Sequence, residues 1–202
     1  MKTKIAKYHY VLGTADLMEY EIVTATEADR WWKGMQRNIR DIKMHKYREM
    51  TEADNEAVAA LVKDNLKQFG LDIPGTVYFD DGLDHLSDYY GNKERRYYVV
   101  EDEAGSVIGG IGFARFEPMK DTAELQKLYL TDSAKGFGIG YDLIRFIEEK
   151  MRMAGYKQSY LETHDNLQAA IHIYEQCGYT EIERPKEVVH STMNRFFLKK
   201  LY

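Results

Sequence analysis

One short stretch limits what this chain can fold into more than any other: Lys135-Gly136-Phe137-Gly138-Ile139-Gly140. A strand-like run, Ala123 to Thr131, leads into it, and Ile139, Leu143, Ile144, Ile147 and Met151 follow on one helical stripe with Gly155 as a stop. A strand therefore runs into a glycine-rich turn that opens an amphipathic helix. Alternating glycines strip the side chains from one wall of the turn. Backbone amides can then point at an anion, at the positive end of the helix dipole. Lys135 adds a full charge. The physical reading is a cradle for a phosphate or pyrophosphate, and the alternative is a plain strand-to-helix turn whose glycines serve close packing. A Walker A loop does not fit, because Gly138-Ile139-Gly140 stands where Gly-Lys-Ser/Thr is needed. The dinucleotide fingerprint does not fit either, because the spacing is GxGxG.

The rest of the composition excludes several classes. The 202 residues fit one domain with an extension, or two very small domains. Hydrophobic residues at 44% and charged residues at 30% exclude a disordered chain. Lys plus Arg is 28 against 33 Asp plus Glu, a net charge of -5, so the positive excess of a dedicated nucleic-acid binder is missing. The single cysteine, Cys177, precludes a disulfide within the chain, argues against a cysteine-based zinc site and suits a reducing compartment. The first residues carry lysines but no continuous apolar core, and no stretch approaches the roughly 18 apolar residues of a membrane span. These features predict a cytoplasmic protein with no membrane or nucleic-acid partner.

Along the chain, YHYVL and EYEIV predict two small strands around a turn at Gly13. Thr26 starts a helix with Ala28, Trp32, Met35, Ile39 and Ile42 on one face, and Thr51 starts another with Val58, Leu61, Val62, Leu66 and Phe69, stopped at Gly70. Pro74-Gly75 is a turn and residues 80–90 a short helix. The period then changes. Tyr97–Glu101, Val107–Phe116 and Ala123–Thr131 read as strands, the first two joined as a hairpin through Glu103-Ala104-Gly105. A helix over 138–153, a strand at Ser159–Glu162, a helix over 166–177 and strands at Tyr179–Glu183 and Thr192–Lys199 complete the order. This is an α/β (α+β) chain with a mixed sheet and helices on its faces.

The glycine turn resembles the acetyl-CoA pyrophosphate loop of the GNAT N-acetyltransferase superfamily, Gln/Arg-x-x-Gly-x-Gly/Ala. Lys135, Gly136, Phe137, Gly138, Ile139 and Gly140 fall on it in order, with Lys135 in place of the usual Gln or Arg. Lys135 keeps the charge but not the guanidinium fork. Ala123 to Leu130 is similar to that family's fourth strand. A second signature is matched by Leu161-Glu162-Thr163, then Ala170-Ile171-His172-Ile173-Tyr174, then Gly178-Tyr179. The resemblance covers about 46–202, leaving 1–45 as an extension. It departs at Leu167, where the family often has an asparagine. Asn166 lies one residue earlier, an offset that turns a helical side chain by about 100°.

The resemblance implies a mostly antiparallel mixed sheet that splays between the fourth and fifth strands. It implies an enzyme that moves an acetyl group from acetyl-CoA to an amine by direct attack in a ternary complex. The acceptor would be a small amine, an amino compound or a peptide amine. Leu128, Tyr129 and Leu130 would bind the pantetheine arm through their backbone, with Lys135 to Gly140, Tyr174 and Asn166 completing the cofactor contacts. The general base is Glu124 or, on the next strand, Glu162, with Thr163 beside it on the substrate. Tyr174 is the general acid that protonates the departing thiolate. Tyr89 and Tyr90 are candidate acceptor-pocket residues. Two other readings stay open: a non-catalytic acetyl-CoA sensor or interaction module, and a transferase of another acyl-CoA.

Cys177, at a helix C-terminus where the dipole disfavours thiolate, reads as a packed small residue. Asp80-Asp81-Gly82-Leu83-Asp84-His85 lacks calcium-loop and zinc spacing, and reads as a solvated turn and helix start with no metal. In the extension, the apolar face of the Trp31-Trp32 helix needs a partner: the domain itself, the roof of the acceptor pocket, or a second copy in a homodimer. Arg30, Lys33, Arg37, Arg40, Lys43, Lys46 and Arg48 make this region basic, read as a solvated polar face.

Overall fold

The computed structural model describes residues 4–8, 20–24, 45–188 and 192–202. The chain divides into two compact units, Met1–Met44 and His45–Tyr202. In the first, β1 (Lys4–Tyr8) pairs antiparallel with β2 (Tyr20–Thr24), the two small strands expected there. The Gly13 turn and the helix expected from Thr26, with Trp31 and Trp32, lie outside the described residues.

The second unit holds a seven-stranded sheet. Its first strand, β3 (Lys46–Glu49), was not legible as a strand: four residues, three of them charged, carry no apolar alternation. It pairs antiparallel with β4 (Arg95–Glu101) at the sheet edge. Arg48 is therefore not part of a solvated basic face. Its guanidinium donates to Asp54 at 2.7 Å and to Glu101 at 2.7 Å. Beside it Thr51 and Asp54 form a reciprocal capping box that starts a short 3-10 turn and then α1 (Asn55–Gln68). The Arg48 guanidinium holds the Asp54 carboxyl at about 2, well below the usual carboxylate range.

α1 ends at Gly70, whose φ of 66° is the left-handed value a non-glycine residue avoids. Two short helical turns and α2 (Leu86–Tyr90) follow. α2 is docked on the start of α1 by a reciprocal pair: Asn55 Nδ2 donates to Ser87 Oγ, and the Ser87 amide donates to Asn55 Oδ1, both at 2.9 Å. β4 forms the expected hairpin with β5 (Val107–Arg115), and β5 pairs antiparallel with β6 (Thr122–Leu130). α3 (Ile139–Met153) then crosses over to β7 (Gln158–Thr163), the one parallel neighbour among the described strands. α4 (Gln168–Gln176), β8 (Thr180–Ile182) and β9 (Arg195–Lys200) close the chain, with β9 between β7 and β8.

Helices cover both faces. Tyr97 and Val99 of β4 pack with Val58, Val62 and Leu66 of α1 and with α2. Tyr98 and Val100 point the other way, to Leu143, Ile144, Ile147 and Met151 of α3 and to Tyr174 of α4. Those four α3 side chains are 0% exposed, and full burial of such a side chain stabilises by roughly 1.5–3 kcal/mol. This is a mixed α/β architecture. No helix of the described residues is long and apolar enough to cross a membrane.

Candidate active site

β6 and β7 pair only from Thr122–Glu124 to Gln158–Tyr160. From Leu125 onward the two strands part, and β6 presents a hydrogen-bonding edge with no β7 partner. A cavity of about 470 Å³ opens in the gap. Leu125 to Leu130 form one wall, Glu162 and Thr163 the other, and Tyr174, Ala170 and Ile173 of α4, Leu66 of α1 and Phe69 just after it line it further.

β6 carries a bulge here. Gly110 faces Tyr129 and Gly112 faces Gln126, so Lys127 and Leu128 together oppose Ile111. Lys127 takes a φ of 51° to make the extra residue fit. Tyr97 holds the bulge from behind, its hydroxyl donating to the Lys127 carbonyl at 2.9 Å. The Tyr97 ring lies against Gly110 and Gly112, where an added Cβ would meet it at 2.5 and 2.6 Å. The strand glycines are thus a groove for this ring.

Glu124 is enclosed in the cleft. Burial pushes its carboxyl up to about 7, Gln126 opposes this by donating to Glu124 Oε2 at 2.6 Å, and the charge of Glu162 adds to the rise. Glu162 accepts from the Tyr160 hydroxyl at 3.0 Å. Burial pushes the Lys127 ammonium below its ordinary range, with Asp80 and Glu124 opposing the shift. Tyr174 is 6% exposed, and burial pushes its hydroxyl upward, so it keeps its proton at neutral pH. No hydrogen bond engages that hydroxyl among the described residues.

The glycine turn follows β6 directly. Gly136 and Gly138 have φ of 83° and 82°, and Gly138 is the N-cap of α3. The Tyr141 amide donates to the Gly138 carbonyl at 3.0 Å, and the amides of Ile139 and Gly140 ahead of it have no partner within the helix. A Cβ at Gly140 would meet Ile173 Cδ1 at 3.1 Å, so that side chain would have to give by a few tenths of an ångström. Lys135 reaches across to α1, donating to Gln68 Oε1 at 2.8 Å and to Asp132 Oδ1 at 2.7 Å.

The structure brings together in one cavity Glu124, Glu162, Thr163, Leu128, Tyr129, Leu130, Lys135, Gly140 and Tyr174. Gly136, Phe137, Gly138 and Ile139 adjoin it through the turn rather than lining it. Asn166 lies outside, its Nδ2 donating to the Phe69 carbonyl at 3.0 Å, while Leu167 lines the cavity. Tyr89 and Tyr90 do not line it: Tyr89 is 41% exposed beneath Arg95, and Tyr90 is buried behind the wall. Gln126, Lys127, Asp80, Thr76, Thr192 and Met193 are lining residues the sequence reading left out. Gln126 was within reach, since it shares the Glu124 face by simple alternation. Cys177 is half-buried, and burial pushes its thiol up. Among the described residues no group of three or more His, Cys, Asp or Glu is placed to hold a metal ion.

Residues 52–179 match the model of the acetyltransferase (GNAT) family. The chain is 36% identical over 138 residues to the uncharacterized N-acetyltransferase YjgM of Escherichia coli, spanning 67% of this chain and 82% of that one. Among solved structures, it is similar to a GNAT-family acetyltransferase of Staphylococcus aureus, with a TM-score of 0.70 at 20% identity over 78% of this chain and 99% of that one. It is also similar to spermidine N-acetyltransferase from Vibrio cholerae in complex with CoA and spermine, with a TM-score of 0.60 at 20% identity over 78% and 95% of the two chains. This chain belongs to the GNAT family of acetyltransferases.

Proposed function

We propose that the protein transfers an acetyl group from acetyl-CoA to a primary amine by direct attack in a ternary complex, within a catalytic domain spanning 46–202. The observation that carries this reading is that Glu124 of β6 and Tyr174 of α4 line the same cleft where the sheet parts. One has a near-neutral carboxyl and the other a retained phenolic proton. The pantetheine arm would lie along the open edge of β6 at Leu128–Leu130, like an added strand. The pyrophosphate would sit on the turn at Lys135–Gly140, at the positive end of α3. The ligands of the Vibrio relative, CoA and spermine, support a CoA donor and an amine acceptor.

The steps follow from these positions. An ammonium acceptor enters beside Glu124 and Glu162 and gives one proton to the Glu124 carboxylate, whose position near neutrality suits a general base. The freed amine attacks the thioester carbonyl, and an amide on the open edge of β6 stabilises the developing oxyanion. The C–S bond breaks, the electron pair leaves with sulfur, and the Tyr174 hydroxyl protonates the thiolate; the nitrogen then gives up its second proton, which restores the Tyr174 hydroxyl, and Glu124 passes its own proton to solvent. The amide product and CoA remain.

The test is a thermal-shift measurement with acetyl-CoA, CoA and ATP, followed by thiol release across a panel of amines and amino compounds. Stabilisation by acetyl-CoA, and thiol release that falls about tenfold or more in Tyr174→Phe, are expected. No stabilisation at millimolar acetyl-CoA would overturn the reading.

A further inference from the structure

The Glu124 carboxylate is held from one side only. Its Oε2 accepts from Gln126 Nε2 at 2.6 Å, and its Oε1 has no hydrogen bond among the described residues. Gln126 is held in turn. Its Oε1 accepts from the Tyr90 hydroxyl at 2.8 Å. A phenol that keeps its proton can donate to an amide oxygen, and this fixes which end of the amide faces onward. Tyr90 is 4% exposed, and burial keeps its hydroxyl protonated far into the alkaline range. With the Gln126 oxygen committed to Tyr90, the amino group must face the carboxylate.

The surroundings are built for this chain of contacts. Tyr90 closes α2, and the Asn55–Ser87 pair anchors that helix on α1. Gly112, which faces Gln126 across the ladder, leaves room for the Tyr90 ring: a Cβ there would meet Tyr90 Cε1 at 3.1 Å.

We propose that Tyr90 and Gln126 are positioning residues for the reaction, a relay that aims one oxygen of Glu124 at the acceptor and keeps the other tethered. This rests on the reading of Glu124 as the general base. Tyr90 touches neither the cavity nor the acceptor and acts through Gln126; its place behind the wall is what a relay needs. The hydrogen bond from Gln126 favours the charged carboxylate, so its loss makes Glu124 harder to ionise. The other groups that face this carboxylate are Glu162 and Tyr160 of β7, Lys127 of β6, and Tyr90 itself. No side-chain hydrogen bond joins Glu162, Tyr160 or Lys127 to Gln126 among the described residues, whereas Tyr90 loses the acceptor of its hydroxyl when Gln126 is replaced.

The experiment follows the Glu124 carboxyl by carbon NMR titration of the whole chain with labelled glutamate, the signal assigned by its loss in Glu124→Gln. The same variants supply pH profiles of kcat/KM. Gln126→Leu should raise the Glu124 midpoint by about one pH unit, the scale of one hydrogen bond to a charged group. The acid limb of activity should move with it, and activity above the new midpoint should stay below wild type, because the carboxylate is no longer aimed. Tyr90→Phe should give a smaller shift in the same direction. The double variant should shift no further than Gln126→Leu alone, because Tyr90 acts through Gln126. A purely packing role for either residue would instead lower activity equally at every pH.

An unmoved NMR midpoint in Gln126→Leu, or additive shifts in the double variant, would overturn the relay. Failure of the base assignment looks different: the midpoint would move as stated while Glu124→Gln kept wild-type activity and its acid limb. Thermal melts and the acetyl-CoA shift check that each variant is folded.

Discussion

The two halves of the cleft are built in opposite ways. The half assigned to the cofactor is nearly contiguous: the end of β6, the glycine turn and the start of α3 follow one another from Leu128 to Gly140. It works largely through backbone, so its demands on side chains are negative ones, chiefly glycine where φ is positive or Ile173 is close. The half assigned to the acceptor is assembled from Glu124 to Lys127 on β6, Glu162 and Thr163 on β7, Thr76 and Asp80 before α2, and Thr192 and Met193 before β9. It works through side chains, and their chemistry depends on burial that only tertiary structure supplies. A shared ligand fits the first pattern, while the second can change with little disturbance to the fold.

The sharpest break in this comparison is Glu124→Gln. The amide keeps the shape but removes the proposed base, and kcat/KM at neutral pH should fall by roughly 10²- to 10⁴-fold. The acetyl-CoA thermal shift should stay unchanged, because the other half is untouched. The same variant has a signature in stability. The folded state holds the Glu124 proton up to about 7, against an ordinary 4.5 in the unfolded chain. The stability gained from this retention is complete below 4.5 and is lost as the pH rises through 7. The melting temperature of Glu124→Gln should therefore fall less than that of wild type over this window. A parallel decline in both would show that Glu124 is solvated like an ordinary carboxylate.

Gly138→Glu should act on the cofactor half alone. No atom lies within 4 Å of the added Cβ, but the φ of 82° is unsuited to a side chain, at a cost of about 1–2 kcal/mol. It also brings a negative charge to the helix N-terminus. Acetyl-CoA affinity should weaken about tenfold or more by calorimetry, with the amine KM little changed. Equal losses in both would mean the halves are not separable.

The smallest effect is expected at Asn166. Its side chain is spent on the Phe69 carbonyl, so Asn166→Ala should change acetyl-CoA affinity by less than about twofold, at a stability cost of about 0.5–1.5 kcal/mol. A tenfold loss of affinity would extend the cofactor half across to α4.

This division explains what could be read beforehand. In the second unit the helix stripes, the hairpin, the glycine turn and the strand order were legible because each rests on local periodicity or on glycine and cap chemistry. β3 was not, because Lys46–Glu49 is polar, short and held by Arg48 contacts to residues far along the chain. Glu124 and Tyr174 were legible as residues in a motif, but the environment that adjusts them was not. Asp80 is distant in sequence from Lys127 and acts on it only through the fold. Tyr90 was legible as a residue near the acceptor region, yet it faces Gln126 from behind the wall instead of the cavity. The bulge was silent, because nothing in Gln126-Lys127-Leu128 announces an extra residue.

That bulge amounts to a change of parity. Before it, the even-numbered residues Glu124 and Gln126 sit on the α2 side, and the odd-numbered Ala123 and Leu125 pack with α3. After it, Leu128 and Leu130 pack with α3, and Tyr129 packs with the α1 side. A strand without the extra residue would carry either Glu124 facing the cleft or Leu128 and Leu130 packed with α3, never both. Lys127 is the single insertion that lets two incompatible alternations share one strand. Deleting it would turn every side chain from Leu128 to Leu130 to the opposite face of the sheet.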